Sequence, residues 1–372
     1  MPKFAKMLVD GMEKFGHSTE VWKPKAIAYS IPTPKRLKKW LGYIDQFLFF
    51  PLEMRLRLIM CKDTTLFVFT DQALGPWIPL LANRPHVIHC HDFLAQKSAL
   101  GLIAENCVSK TGIKYQEFIR KGYKYGQNFI SISNKTRLDL HTLLGYNPAR
   151  SEMVYNGIVI PLDHKSPSES RRVFTDETGI PGLNGFLIHV GGNQWYKNRV
   201  GVIEIYNSWR KSSTKELPLV LIGAAPDAKL LTVFDSSPYK SNIFFLTGRS
   251  DDFVTNAYRG ASLLLFPSLA EGFGWPIIEA MAQGCPVITT MDAPMTEVGG
   301  DAATYIDLRP SDEKNVIKWS INAALAVENI LKLSDTEKGM VSSKGYLNVR
   351  RFDLNASMTE IHKIYCEVLN QF

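Results

Sequence analysis

The sequence predicts an α/β chain of two domains, and three observations carry that expectation. The chain has 372 residues, more than one ordinary core accommodates, so two domains of roughly one to two hundred residues each are expected. Hydrophobic residues make up 45% and charged residues 21%, the proportions of a folded globular protein. In the second half, runs such as "FLIHV", "LPLVLI", "NIFFL", "SLLLF" and "CPVITT" alternate with helical spacing. Strands that read as continuous apolar runs between helices imply a parallel sheet covered on both faces. That half is therefore expected to be doubly wound.

Along the first half, Phe4, Met7, Leu8 and Met12 lie at helical spacing, Gly16 reads as the helix stop, and "TEVW" at 19–22 as a short strand. This is the second part of a β-α-β unit. The strand and glycine-rich turn that normally precede such a helix are absent from the sequence. Residues 31 to 60 join a basic cluster (Lys35, Arg36, Lys38, Lys39) to Trp40, Leu41, Tyr43, Phe47 and Leu48. Two readings stand for 35–48: a helix on an anionic membrane or a lipid-linked acceptor, and an ordinary amphipathic surface helix. "TTLFVFTD", "RPHVIHCHD" and "NFISIS" read as strands, 112–126 and 134–144 as helices, and "SEMVYNGIVIP" as a strand entering an Asn-Gly turn. The polar stretch "LDHKSPSESRR" reads as the linker.

In the second half, helices are expected over 198–210, near 228, and over 251–260, 276–283 and 312–343, each following a strand. The end of the chain, with Met358, Ile361, Ile364, Tyr365 and Leu369 on one face, reads as an amphipathic helix. The expected divisions are 1–160, 161–350 and 351–372.

Several function classes lose ground on composition alone. The sequence has no apolar run near the ~18 residues that cross a bilayer, and its start lacks the zones of a signal peptide, so a cytoplasmic protein is expected. Five cysteines, odd in number and without a C-x-x-C pair, argue against disulfides and structural zinc. The formal charge of +7 favours an acidic partner. No zinc-finger spacing or RNA-binding signature of alternating aromatic and basic residues appears, which weakens the nucleic-acid reading against an anionic membrane surface or a phosphate-bearing small molecule.

Ligands of doubly wound sheets sit beyond the carboxyl ends of the strands. After "FLIHV" comes "GGNQWYKNR", where Gly191 and Gly192 let the backbone approach a ligand and Lys197 offers a cation. It is neither a Walker A loop nor a dinucleotide fingerprint. The more specific stretch is "SLLLFPSLAEGFGWP", which runs from a strand through a glycine-bearing loop to Pro276, suited to a first helical turn. The N–H groups of Phe273, Gly274 and Trp275 would face the sheet edge, where an anion or sugar hydroxyls accept. Glu271 precedes them and Glu279 lies about one turn into the helix. Two carboxylates so placed suit a nucleotide sugar; equally, Glu271 sits beside a positive helix end and Glu279 is an ordinary helix residue.

"EGFGWPIIEAMAQGCPVITT" resembles the signature of the family-four retaining glycosyltransferases, whose fold is GT-B: two Rossmann-like domains facing across a cleft. "HVGGNQWYKN" resembles the family's phosphate loop, "FFLTGRSDDFVTNAYRGASLLLFPS" its base-binding loop and next strand, "ISISNKTRLDL" and "VYNGIVIP" its domain junction, and "IHCHD" its acceptor-side histidine motif. The resemblance covers nearly the whole chain.

It implies that Glu279 binds ribose hydroxyls, that Glu271 with the amides of Gly272, Phe273, Gly274 and Trp275 holds the transferred sugar, and that Gly191, Gly192, Asn193 and Lys197 hold the diphosphate. Arg249 would lie beside the base and His91 near the reacting carbon, with His91, Lys197 and Glu271 as the catalytic set. A nucleotide-diphosphate-sugar donor, a glycan, lipid-linked or polysaccharide acceptor, no cofactor, no metal and no nucleic acid are further implications. The sequence contains no D-x-D. His89 and His91 project from one face of a strand, which leaves metal open beside a core or catalytic histidine.

The final helix would cross back to the first domain. Where the family has arginine after the loop glycine, this chain has Asn193, leaving Lys197 and Arg199 as cations. An epimerase or phosphorylase of the same fold, and a catalytically impaired binding protein, are the alternatives.

Overall fold

The structure, a computed structural model, describes residues 2–159 and 166–371. It divides into two compact units: one takes the chain up to Tyr155 together with the segment from Asn355, and the other runs Asn156–Leu354. The expected boundary at 160/161 lies outside the described residues.

The first unit holds a parallel sheet of β1 (Phe67–Phe69), β2 (His86–Cys90), β3 (Asn128–Ser131) and β4 (Arg150–Met153), ordered as in the sequence. Val87, Ile88, Cys90, Phe129 and Ile130 are wholly buried at its centre, as strands covered on both faces should be. Helix Pro2–Lys14 buries Leu8 and Met12 and stops at Gly16, whose φ of +85° suits glycine. "TEVW" is not a strand: a strand exists through its ladder, and β1, at the sheet edge, pairs only with β2 among the described residues. Instead Trp22 sets its ring edge against Phe67.

Residues 35–60 form one helical run, Lys35–Ile44, a π-turn Asp45–Phe49 and Phe50–Met60. The buried Asp45 explains how the π-turn is held, since its carboxylate accepts from the N–H groups of Ala28 and Tyr29 at 2.7 and 2.8 Å. Helix Leu354–Leu369 buries Met358, Ile361, Ile364 and Tyr365. It lies against the N-terminal helix at Gly11, where a Cβ would come within 2.6 Å of Met358 Sδ. Tyr365 Oη is 2.6 Å from His89 Nε2 of β2.

The second unit holds a six-stranded parallel sheet of β5 (Leu187–Gly191), β6 (Leu219–Gly223), β7 (Ile243–Leu246), β8 (Leu263–Phe266), β9 (Val287–Thr290) and β10 (Thr304–Ile306). Its order is β10-β9-β8-β5-β6-β7, so the direction of winding reverses between β8 and β5. Helices Arg199–Ser212 and Glu313–Lys332 pack Val202, Tyr206, Trp209, Trp319, Ala323 and Val327 on the buried strand residues.

One expectation changes here and another gains detail. Part of the linker reading falls on a helix, Pro167–Thr178. Ser166 caps it, Pro167 opens it and Gly179 (φ 70°) closes it, while Phe174 is fully buried and stacked on Phe186. Good caps and one aromatic anchor outweigh a polar composition. The stretch expected to be helical over 312–343 is made of two helices, Glu313–Lys332 and Asp335–Val349, separated where Ser334 and Glu337 form a capping box. Among the described residues no helix is long and apolar enough to cross a membrane, and all five cysteines are free.

Candidate functional site

In an open parallel sheet, strands on either side of a reversal send their loops apart and leave a crevice at their carboxyl ends. The loops after β5 and β8 are that pair here. At the floor of the crevice the glycines ending β5 and β6 lie in register. Gly223 has φ +145°, and a Cβ on it would stand 2.1 Å from the Gly191 carbonyl oxygen. Only glycine fits so close a backbone approach.

The two loops are sewn together. Asn198, at φ 49° the one non-glycine residue with positive φ among those described, accepts from Gly201 N–H and donates 2.8 Å to the Pro267 carbonyl. Leu269 N–H donates 2.7 Å to the Tyr196 carbonyl. These ties bring Lys197 Nζ to 2.7 Å from Glu271 Oε1, an ion pair whose side chains are 15% and 8% exposed. Ser268 Oγ donates 2.9 Å to the same carboxylate oxygen. The ammonium also lies 5.1 Å from the Phe266 ring centre and 5.5 Å from that of Tyr196, so aromatic faces flank the cation.

Gly274, at φ +106°, turns the chain into helix Trp275–Ala282, with Pro276 in its first turn. Phe273 is buried edge-on to Trp275 and Phe352, which fixes the segment Gly272–Trp275 at the helix start. Glu279 Oε2 accepts 3.1 Å from the phenol of Tyr258. Burial, reinforced by the Glu279 charge, holds that phenol well above its ordinary pKa, so it remains a donor.

Asn193 donates 2.5 Å to the Ala225 carbonyl and accepts from Arg199. Arg199 also donates 2.9 Å to the Ala224 carbonyl, and its Nε and Nη2 are buried without hydrogen-bond partners among the described residues. Burial lowers its pKa, with Asp227 opposing. Arg249, exposed after Gly248, pairs with Glu177 at 3.3 Å and lies 4.8 Å over the Phe253 ring. The structure therefore joins Lys197 to Glu271 directly, and gives Glu279 and Arg249 partners the sequence did not suggest. Ser268 stood in the predicted loop without a role; nothing in the sequence marked Tyr258.

His91 belongs to the first unit, just after β2. Its ring Nε2 lies 2.9 Å from the Thr70 carbonyl, its N–H donates 3.0 Å to Gln72 Oε1, and Phe4 meets it edge-on. A carbonyl only accepts, so Nε2 carries the proton and Nδ1 the lone pair. Burial lowers the His91 pKa, while the Thr70 carbonyl and Asp92 oppose. Burial takes His89 further, to about 3. Each Nε2 of the pair has a protein partner.

Comparison with known proteins agrees with this architecture. Residues 170–336 match the family described as Glycosyl transferases group 1. O-antigen chain mannosyltransferase B of Escherichia coli is 25% identical over 209 residues, 55% of this chain and 53% of that protein. Lipopolysaccharide glucosyltransferase WaaG of Escherichia coli K12 is 26% identical over 179 residues, 47% of each chain. The matches thus span about half the length of these curated relatives. The crystal structure of WaaG superposes with a TM-score of 0.66 at 19% identity, covering 96% of this chain and 94% of that one. Anabaena HepE in complex with UDP and glucose gives 0.65 at 20% identity, covering 87% and 82%.

Proposed function

On the premise that residues 170–336 are a Glycosyl transferases group 1 domain in a chain of the GT-B fold, we propose that the protein moves a sugar from a nucleotide-diphosphate-sugar to a glycan, polysaccharide or lipid-linked acceptor. The observation that carries this reading is the Lys197–Glu271 ion pair at the sheet reversal. A shielded cation beside a helix N-terminus suits a diphosphate, and a carboxylate beside it suits sugar hydroxyls.

In this reading the donor diphosphate competes for the Lys197 ammonium, and Glu271, still held by Ser268, turns its second oxygen to the sugar. Glu279, fixed by Tyr258, takes the ribose hydroxyls. The C1–oxygen bond breaks with its electron pair going to the diphosphate, whose growing charge Lys197 and the Gly272–Trp275 backbone stabilise. The acceptor oxygen bonds to C1 on the face the diphosphate leaves, passing its proton to a departing phosphate oxygen, so the anomeric configuration is retained. Lys197 and the helix dipole supply the positive charge without a metal. His91, uncharged, keeps Nδ1 as an acceptor suited to a hydroxyl.

The supporting experiment is a thermal-shift screen of UDP-, GDP- and ADP-sugars, followed by product analysis. UDP-sugars come first because HepE was solved with UDP and glucose. Stabilisation followed by transfer is the expected result; no stabilisation by any donor ends the proposal.

We also propose a peripheral contact at the inner membrane surface through residues 35–48. Trp40 is 59% exposed and Leu48 53%, Leu37 and Ile44 share the exposure, and Lys35, Arg36 and Lys39 face solvent. Lys38 is drawn inward instead, donating to the Tyr29 and Ile31 carbonyls. An apolar stripe beside cations suits an anionic interface. Co-sedimentation with anionic vesicles, lost in Trp40→Ser and Leu48→Ser together, is expected; equal binding to neutral vesicles contradicts the electrostatic part.

A further inference from the structure

Three side chains of the first unit, far apart in sequence, converge where the N-terminal helix ends. His17 follows the stop glycine of that helix, and His362 and Cys366 are four residues apart on helix Leu354–Leu369, hence on one face of it. His17 Nε2 is 2.8 Å from His362 Nε2, and Cys366 Sγ is 3.4 Å from the same nitrogen. All three ligand atoms lie within 4.8 Å of one another.

We infer that His17, His362 and Cys366 form a site for a thiophilic divalent ion of the zinc class, with solvent in the fourth position. Zinc binds imidazole nitrogen at ~2.0–2.1 Å and thiolate at ~2.3 Å, so a tetrahedral ion sets nitrogen and sulfur about 3.5 Å apart and two nitrogens about 3.3 Å apart. The distance from Cys366 Sγ to His362 Nε2, 3.4 Å, already matches, and Cys366 lies within 4.8 Å of His17. The nitrogens must open by about half an ångström from their present separation. His17 can supply that movement, because it is exposed and lies outside any helix or strand.

The surroundings favour this ligand set. Phe15 stacks on the His362 ring at 4.2 Å and 4°, which fixes the plane of that imidazole. Thr19 Oγ1 donates 2.6 Å to Glu13, closing the short loop that carries His17. Such outer contacts orient metal ligands. The thiol releases its proton on binding, giving the thiolate the ion requires. The sequence hid the site because 345 residues separate His17 from His362, and no spacing motif spans that distance. A bound ion would staple the N-terminal helix to the C-terminal helix within one unit.

The test is titration of the metal-free full chain with Co²⁺ under reducing conditions, followed by displacement with Zn²⁺. One equivalent should bind with a near-ultraviolet thiolate-to-cobalt band. That band should vanish in Cys366→Ser, and Zn²⁺ affinity should fall at least tenfold in Cys366→Ser and in His362→Ala. Zn²⁺ should raise the melting temperature of the wild type more than that of either variant. Absence of binding, a cobalt spectrum without the thiolate band, or a band that persists in Cys366→Ser, overturns the assignment. Unchanged far-ultraviolet dichroism in Cys366→Ser, a nearly isosteric change, establishes that the variant is folded.

Discussion

The two parallel sheets differ in one topological respect. The strands β1 to β4 of the first unit follow their order in the sequence, whereas the second sheet reverses between β8 and β5. At the reversal, loops leave in opposite directions and side chains from both can reach one ligand. Lys197 and Glu271, 74 residues apart, meet there. In the first unit the carboxyl end of β2 is closed by its own neighbours, with Gln72 accepting from His91 N–H and donating to the Asp92 carbonyl. The same alternation of strands and helices thus yields an edge closed by its own neighbours in one sheet and, in the other, an edge where two distant loops bring Lys197 and Glu271 together.

The strongest way to break this comparison is Lys197→Ala. On the proposed role of Lys197 as leaving-group cation, its loss should lower transfer by about 10²–10³ in kcat, measured with a labelled donor, and removal of the ion pair from a shielded site should also lower the melting temperature. Near-normal turnover would remove Lys197 from the chemistry.

Next comes the floor of the crevice. Gly223→Ala puts a methyl group into the Gly191 carbonyl at a left-handed φ and should cost about 2–4 kcal/mol of stability. Gly145→Ala in the first unit, at φ +73° with open space around it, should cost only about 1 kcal/mol. Equal losses in chemical denaturation would deny the backbone contact its importance.

Glu279→Ala should weaken nucleotide-sugar binding about tenfold with a smaller change in kcat, because a ribose contact is made equally in ground and transition states. Calorimetric titration measures this, and unchanged affinity contradicts the ribose role.

Each unit holds a fully buried histidine that should make it sensitive to acid. His89 in the first and His189 in the second are fully buried with pKa lowered to about 3, chiefly by desolvation. Between about 3 and 6.5 the unfolded state binds more protons, so stability is complete above pH 6.5 and falls as pH drops through that window. From pH 6.5 to 5.5 each histidine should cost about 1 kcal/mol. Denaturation of His189→Gln across that range should show a shallower slope.

The smallest effect concerns His91, whose pKa is also lowered by burial. It stays neutral below pH 6.5, so any acid limb of the rate that depends on His91 should lie below that value, and a His91-dependent limb at or above it contradicts the assignment.

Most strands and helices could be read from the chain because continuous apolar runs and 3.6-residue periodicity are local signals. Helices Asn134–Leu144 and Asp251–Gly260 fall on their expected bounds. "TEVW" misled because β propensity says nothing of a partner strand. The three-residue β10 was too short to signal itself, and it forms by pairing with β9. In the site, Glu271, Glu279, Lys197 and the glycines could be singled out from their places after strands. Tyr258 could not, since a tyrosine within a helix pattern reads as core until its hydroxyl is found 3.1 Å from Glu279.

By itself the sequence determined the α/β alternation, the glycine-bearing loops and the residue types that suit a nucleotide sugar. These are properties of neighbouring residues, set by backbone sterics and side-chain periodicity. Only the tertiary structure decided that β5 and β8 lie side by side, that Lys197 is already paired with Glu271, and that His17 meets His362 and Cys366. Such meetings depend on strand order and on the packing of distant helices, and no local spacing encodes them.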